Sequence, residues 1–568
     1  EEVWMLQTKK ADFKQIGARF RIDPVTARII RNRGIEGEAA IDRYLNGTLD
    51  DLYDPMLLKD MEHAVSILCE AVDTGKKIRI VGDYDIDGVC STYILLQAFE
   101  RLGSDVDFEI PDRIKDGYGI NESIIEQAHA DGVEVILTCD NGISAFHQVE
   151  LAKKYGMTVV ITDHHEVPLD GEKEKIPPAD AVIDPKQADC PYPFPEICGA
   201  VVAYKLVQVL YARRGVPQME WLDLLEFAAI ATVGDVMKLQ DENRILVKYG
   251  LKKMAQTKNL GLRRLAEKNN LDLGAITAYH IGFVIGPCLN AGGRLKTAKE
   301  ALALLRAQSE EEAERLAEEL KELNDTRKDM TEQGTEAAKL QVESWYQKDK
   351  VLVVFLPECH ESLAGIIAGR LREYYQKPAI VLTRGEEAVK GSGRSIDEYH
   401  MFKKLTEVSD LLLKFGGHPL AAGLSLEEKN IDEFRRRLNE NAGLTEEDFK
   451  AKVWIDVPMP VGYVTERLVR ELSCLEPFGQ GNEKPLFAEK SLRIRASRVL
   501  GRNRNVVKMT LEETDGHAIE ALYFGDGTAF EEERAGRREI DVVYYPDINE
   551  YNGRKTLQAV IRRYKFRG

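Results

Sequence analysis

Long apolar runs are missing from this sequence: none of its 568 residues belongs to a stretch near the roughly 18 that a membrane span needs. The opening Glu-Glu-Val-Trp-Met-Leu has none of the basic character of a secretory leader, so a cytoplasmic protein without a targeting segment is expected. Eight cysteines are scattered at positions 69, 90, 139, 190, 198, 288, 359 and 474, with no Cys-x-x-Cys pair among them. That spacing argues against a zinc ribbon and against a disulfide framework, and reduced, mostly buried thiols are expected. Positive charge is also short. Lys and Arg number 78 against 95 Asp and Glu, which leaves a net charge of −17. Non-specific attraction to phosphate backbones is disfavoured, but a nucleic-acid substrate is not excluded. Binding depends on where cations gather and on whether metals neutralise the acids.

What is present is a globular composition, 44% apolar and 30% charged, in a chain long enough for three or four domains. Its most unusual stretch is 78–92. Ile78, Ile80 and Val81 read as a short buried strand, which ends in the alternating carboxylates Asp83, Asp85 and Asp87 and then Gly88. Like charges about 4 Å apart at an effective dielectric of about 20 cost on the order of 4 kcal/mol per pair. Such a cluster survives in solvent, in protonated form, or around a cation. Alone, it is equally a solvated Asp-rich turn. The weight comes from its recurrence downstream.

Residues 1–60 hold short helical patterns and a basic patch, Arg28, Arg31 and Arg33, and read as a lead-in to the first domain. From 61 the pattern is α/β. Helices are expected over 61–74 and 92–102, with further strands at 133–137, 158–161 and 181–183. Strands alternating with helices imply a parallel sheet covered on both faces, with ligands bound beyond the strands' carboxyl ends. Three successive strands deliver polar residues there: Asp83, Asp85 and Asp87; then Asp140-Asn141-Gly142; then Asp163-His164-His165. One strand-end Asp is often a helix cap, but three on one rim point to a metal site. Asp235 ends an otherwise apolar segment and is expected to join them, although it is also open to reading as the cap of a following helix.

The donor set Asp83, Asp85, Asp87, Asp140, His164 and Asp235 is mostly hard oxygen, which favours Mn²⁺ or Mg²⁺. Five carboxylates exceed one divalent charge, so two ions are expected, with Asp140 as the best bridge. Such a pair supports hydrolysis of a phosphodiester or phosphoanhydride, with His165 orienting or protonating at the scissile phosphate.

Downstream, Ser309 and Glu312 fit a capping box opening a long helix to about 343, its charge read as solvated faces. A second α/β unit follows, with strands at 351–355 and 379–382 and a helix at 363–374. Two glycine-rich segments, 390–395 and 415–423, read as loops. Ser392 and Arg394 beside glycines suit a phosphate. Five short strands, at 491–500, 506–511, 518–523, 540–545 and 556–561, then suit a small OB-type barrel. Residues 490–508 carry Lys490, Arg493, Arg495, Arg498, Arg502, Arg504 and Lys508 with no acid. That reversal reads as a single-strand-binding face, or as an edge strand guarded by cations.

Asp83-Tyr84-Asp85-Ile86-Asp87-Gly88, Asp140-Asn141-Gly142, Asp163-His164-His165 and Asp235 match the four motifs of the DHH phosphoesterase superfamily. Gly416-Gly417-His418-Pro419-Leu420-Ala421-Ala422-Gly423 resembles the signature of its associated domain. With Glu476-Pro477-Phe478-Gly479-Gln480-Gly481-Asn482 before a barrel, the whole chain resembles the single-strand-specific exonuclease branch. The resemblance implies an α/β architecture: a parallel-sheet DHH domain (61–308), a connecting helix (309–345), a DHH-associated domain (346–450) and an all-β OB-fold barrel (451–568); in a departure from some relatives, no extra domain is expected after the barrel. It implies 5′→3′ hydrolysis of single-stranded DNA to 5′-mononucleotides with Mn²⁺ or Mg²⁺, in recombination and repair, beside a helicase and a single-strand-binding protein. Carried over by motif, Arg113, Tyr118, Asn290, Arg294, Ser392, Arg394, Gly417 and His418 contact substrate or its 5′-phosphate, and a cut one nucleotide in follows. Val81 stands where many relatives have His, and Cys288 where many have Arg. Two other functions are weighed: a phosphodiesterase of short RNA oligomers, cyclic dinucleotides or pyrophosphate, whose relatives lack a basic barrel, and an inactive DNA-binding replication subunit, which would have eroded metal ligands.

Overall fold

Apolar runs of three to five residues, buried on both faces, form an all-parallel sheet. In the computed structural model, which describes residues 2–551 and 553–567, its spatial order is Val106–Glu109, Ile78–Val81, Val135–Cys139, Thr158–Thr162, Ala181–Ile183. The first of these, a half-buried edge strand, has no counterpart in the expected set. The chain leaves Ile78–Val81 for one edge and returns on the other side with Val135–Cys139. Strand order reverses between these two, where a crevice opens at the carboxyl ends. The helix after the acidic motif begins at Ile86, not near 92. Asp85 is its N-cap, accepting the Gly88 amide at 2.9 Å, so the three aspartates straddle a helix start rather than a loop.

The long helix runs Glu310–Gln341 with Ser309 as N-cap. The Glu312 carboxylate bonds the amide of Gln308 rather than that of Ser309, so the reciprocal half of the capping box is displaced by one residue. A mixed sheet follows, in the order Leu412–Gly417, Ala421–Leu426, Val389–Arg394, Ala379–Arg384, Leu352–Phe355, with only the last pair parallel. Both glycine-rich segments expected as loops are therefore largely strands. Their glycines admit neighbours: a Cβ on Gly391 would lie 2.6 Å from Leu382 Cδ2. These elements fall in one compact unit, Tyr53–Met237 with Tyr249–Ala451.

A second unit takes the described residues up to Leu52, Lys238–Lys248, and those from Lys452 onward. Phe487–Leu500, Val506–Glu512, Ala518–Phe524, Arg554–Arg567 and Glu539–Tyr551 pair in that order, and the last closes on the first to form the barrel. The N-terminal residues are not a lead-in to the first sheet. Ile29, Ile30, Ile41 and Tyr44, the apolar faces of the helices Pro24–Asn32 and Glu38–Asn46, share the barrel's own core with Val461, Phe487 and Tyr544. Arg33, from the basic patch, makes a buried bidentate pair with Asp456, at 2.6 and 3.1 Å. Asn482 of the 476–482 motif is structural, bonding Leu475, Pro477 and Tyr44.

Removing one member of a buried pair leaves the other charge uncompensated. Arg33→Ala is expected to destabilise the barrel unit by about 3–5 kcal/mol, measured as a lowered urea midpoint. Arg33→Ala with Asp456→Asn should recover part of that loss.

Candidate metal centre and arginine rim

Asp83, Asp87, Asp140 and His164 converge, all buried, at the carboxyl ends of three adjacent strands. His164 Nε2 lies 3.1 Å from Asp140 Oδ1, 3.3 Å from Asp87 Oδ2 and 3.8 Å from Asp235 Oδ2. Asp235 is the C-cap residue of Leu225–Gly234 and faces this cluster; the following helix begins only at Asp241, so Asp235 does not cap it. Three groups have ligand atoms within 4.8 Å of one another, Asp87–His164–Asp235, Asp83–Asp85–Asp140 and Asp140–His164–His165, and the third shares a residue with each of the other two.

Backbone amides offset part of the repulsion. Gly199 and Ala200, at the N-terminus of Gly199–Arg214, each donate to Asp87 at 2.7 Å. The remainder is uncompensated. Burial, then neighbouring carboxylates, push Asp83 and Asp140 well above the usual carboxylate range and Asp235 up to about 8. Asp83 Oδ2, Asp140 Oδ2 and His164 Nδ1 are buried with no hydrogen-bond partner. Burial lowers His164, which keeps its ring neutral and able to ligate. Orphaned oxygens, repelling carboxylates and a neutral imidazole fit hard divalent cations such as Mn²⁺ or Mg²⁺.

His165 is partly exposed beside the cluster. Its Nδ1 lies 2.7 Å from Asp163 Oδ1 and 2.9 Å from the Tyr118 hydroxyl, which also donates to the Asp140 carbonyl at 2.7 Å. Burial opposes the charged ring, but the Asp163 bond together with the negative charge of Asp163, Asp235 and Asp87 overcomes it and raises His165 to about 9. Asp163, which also accepts the amides of Ile143 and His164, is thus a positioning residue.

Across from the acids is a rim of arginines. Arg294 feels Arg113, Arg327 and Arg394 as well as Asp85, and burial together with those cations lowers it to about 10. Burial, Arg372 and Arg113 lower Arg394 likewise. Arg113 lies over the Tyr84 ring at 4.8 Å, and Arg294 donates to the Ser362 carbonyl at 2.9 Å. Among the described residues, no carboxylate pairs with Arg113, Arg294 or Arg394 at ion-pair distance. Ser392 and Arg394, on one face of their strand, meet the first turn of Ala364–Tyr375: a Cβ on Gly365 would lie 2.8 Å from the Arg394 guanidinium and 3.1 Å from Ser392 Oγ. Cations, a hydroxyl and a helix N-terminus around one space suit an anion. Asn290 is half-buried on the helix that carries Arg294. Gly417 has φ +150°, and the exposed His418 beyond it acts electrostatically on Glu166, beside His165.

Residues 77–232 match the family model of the DHH N-terminal domain, 348–443 that of the DHHA1 domain, and 455–563 that of the RecJ OB domain. The chain is 36% identical to the single-stranded-DNA-specific exonuclease RecJ of Bacillus subtilis, over 98% of this chain and 70% of that one. It is 34% identical to the Escherichia coli protein of the same name, with 95% of each covered. The crystal structure of RecJ from Thermus thermophilus in complex with Mn²⁺ matches at a TM-score of 0.84 and 28% identity, over 99% of this chain and 79% of that one. The chain belongs to the RecJ family.

Against that family's pattern, Val81 is a fully buried core residue. Cys288 is buried too, its sulfur near the side-chain amides of Asn269 and Asn324. Arg327, from the long helix read only for its solvated charge, bonds Asn324 and joins the rim. On the barrel, Arg493, Arg495, Arg498, Arg502 and Arg504 are all exposed. Arg495 lies 3.5 Å from Glu512, however, and Lys508 2.8 Å from Glu520, so the local charge reversal is partly cancelled. Sequence reasoning missed Gly199, Ala200, Gly365 and Arg327. Only the glycine opening an apolar helix at 199 gave any signal. Among the described residues, no helix is long and apolar enough to cross a membrane.

Because these carboxyls titrate higher when folded, the metal-free protein loses stability as pH rises from the ordinary carboxylate range towards about 8. Added Mn²⁺ should therefore raise Tm, and by more at about pH 8 than at about pH 6, in thermal unfolding with and without chelator. Asp140→Asn should raise the metal-free Tm while shrinking the Mn²⁺ response. A Cβ on Gly199 would lie 2.7 Å from Asp140 Cβ, so Gly199→Ala is expected to weaken Mn²⁺ binding at least about tenfold, read by calorimetric titration.

Proposed function

We propose that this chain degrades single-stranded DNA from its 5′ end, releasing 5′-mononucleotides by metal-dependent hydrolysis. The observation that carries the proposal is the juxtaposition of the carboxylate–histidine centre with Arg113, Arg294 and Arg394, arginines that have no carboxylate partners among the described residues. An acidic centre that takes cations, beside a cationic space that takes a terminal phosphate, makes an end-reader. A 5′-phosphate held on the rim fixes the first phosphodiester over the centre, so hydrolysis advances one nucleotide at a time. Bound divalent ions would supply a hydroxide nucleophile and neutralise charge on the phosphate. Asp83, Asp85, Asp87, Asp140, His164 and Asp235 would hold them. Asp163 keeps Nδ1 of His165 bonded, leaving the other face of a ring that stays protonated at neutral pH to steady the scissile phosphate or to give up a proton. Tyr118, its hydroxyl held un-ionised by burial, fixes the backbone at Asp140.

The activity for which the relatives are named, on single-stranded DNA, supports this substrate. The barrel matched at 455–563 favours long strands over the short oligomers of other DHH phosphodiesterases, and the complete ligand set disfavours an inactive replication subunit. Such an enzyme consumes ends that another activity must expose. A helicase and a single-strand-binding protein are the proposed partners, in cytoplasmic DNA recombination and repair.

With long 5′-phosphorylated single strands labelled at either end, Mn²⁺-dependent loss from the 5′ end is expected, absent with chelator and in Asp140→Ala. Intact long strands with rapid dinucleotide hydrolysis would overturn the proposal. Arg394→Ala should lower kcat/KM on 5′-phosphorylated strands by about 10- to 100-fold and leave 5′-hydroxyl strands much less affected.

A further inference from the structure

Away from the metal centre, the helices Ile86–Arg101 and Leu225–Gly234 border a cavity of about 390 Å³, within the range of small-molecule sites. Its residues belong to neither the centre nor the arginine rim. Both helices present metal-binding residues at their other ends, Asp85 and Asp87 on the first and Asp235 on the second. From Asp235 back to Glu226, which lines the cavity, is about 14 Å at about 1.5 Å per residue, so the two spaces are separate.

Glu226 is the unexplained group here. It is 4% exposed, in the first turn of an otherwise apolar helix. One oxygen, Oε1, accepts the Thr257 hydroxyl at 2.8 Å; the other, Oε2, is buried with no hydrogen-bond partner among the described residues. Burial raises this carboxyl to about 7, against the Thr257 bond and the charge of Lys253, which lower it. Donors arriving beside Oε2 would satisfy it and hold it ionised.

The rest of the lining is of two kinds. Tyr93 and Phe227, one from each helix and with ring centroids 4.3 Å apart, make an apolar wall with Leu224 and Leu305. Cations stand around it. Arg101 bonds Glu220, Arg306 pairs with Glu100, and Asp223 takes both Lys253 and Lys258, at 2.5 and 3.2 Å. Four cations thus share three acids. The Lys258 side chain is 80% exposed, which leaves it the freest of them to turn to a new anion.

An occupant that matches these features has paired N–H donors on a flat apolar body and an anion at its other end. Among the nucleobases of DNA, guanine alone offers two adjacent N–H donors, on N1 and N2, and one carboxylate accepts both. Adenine and cytosine set an acceptor beside their donor, and thymine flanks a single N–H with two carbonyls. We propose that the cavity is a non-catalytic site for a guanine 5′-mononucleotide, with Glu226 receiving the base edge, the Tyr93–Phe227 wall facing its rings and Lys258 at its phosphate. The site does not depend on the exonuclease reading, which stands or falls separately.

Calorimetric titration of the full chain in chelator should show saturable binding of 5′-dGMP, with 5′-dAMP, 5′-dCMP and 5′-dTMP at least about tenfold weaker. Glu226→Gln keeps an acceptor for Thr257 but sets an amide donor against the donors of the base. It should weaken 5′-dGMP at least about tenfold while leaving Mn²⁺ binding and strand cleavage unchanged. Lys258→Ala should weaken 5′-dGMP about two- to fivefold and leave deoxyguanosine unaffected. Binding through the arginine rim would instead treat the four nucleotides alike and survive Glu226→Gln. Either of those results, or no binding of 5′-dGMP by the wild type, overturns the proposal.

Discussion

Repulsion among buried carboxylates at the ends of three neighbouring strands is the constraint on which the rest of the catalytic unit depends. At about 4 Å and an effective dielectric of about 20, each like-charge pair costs on the order of 4 kcal/mol. The fold offsets only part of this. Asp87 receives two amides from a helix N-terminus, Asp85 receives one as an N-cap, and His164 stays neutral. Asp83 and Asp140 each keep an oxygen with no protein partner. The unfinished compensation is itself the affinity for a cation: what the chain leaves unsatisfied, a divalent ion satisfies.

The same logic, with the sign reversed, builds the rim. Arg294 and Arg394 are substantially buried and surrounded by other guanidinium groups, and burial makes that crowding unfavourable unless an anion arrives. Asp85 tempers Arg294, so the acidic and basic halves lie within electrostatic reach of each other without pairing directly. A phosphodiester strand with metal ions is complementary to both halves at once. This explains how a chain with a large negative charge acts on a polyanion: total charge governs distant behaviour, and the local arrangement governs binding.

Much of this was legible in the sequence, and the reasons differ by element. Carboxylates and histidines directly after short apolar runs placed the centre, because a parallel sheet brings strand ends to one rim whatever the strand order. The order was not legible, nor was the edge strand Val106–Glu109, which alternates too briefly to register. Ser392 and Arg394 were readable as phosphate ligands, yet their glycine-rich segments are strands, since glycine admits close neighbours as readily as it makes turns. Gly199 and Ala200 act through backbone amides, which no side chain announces beyond the glycine that opens an apolar helix, and Cys198 caps that helix with no side-chain bond. The N-terminal helices showed apolar faces, but nothing in an apolar face names its partner, which lies more than 400 residues away in the barrel.

Backbone strain marks the centre as well. Asp140 has φ +60° and Val236, next to Asp235, has φ +56°, both in a region that costs non-glycine residues energy. At Asp140 the surroundings over-determine the conformation. Tyr118 bonds its carbonyl, Gly199 packs against its Cβ, and the neighbouring Asn141 amide nitrogen reaches the carbonyls of Val81, Gly82 and Cys139. That scaffold aims one carboxylate between two ligand groups, which a relaxed strand end would not do. Around Val236 the support is a helix C-terminus: its amide bonds the Val233 carbonyl at 3.1 Å and that of Met237 bonds the Thr232 carbonyl at 3.0 Å, the pair that closes a helix on a left-handed residue. Strain held by a web of hydrogen bonds serves to position a ligand. At Val236 the left-handed turn instead ends the helix Leu225–Gly234 directly after Asp235, so the chain leaves the centre as soon as the carboxylate has been delivered.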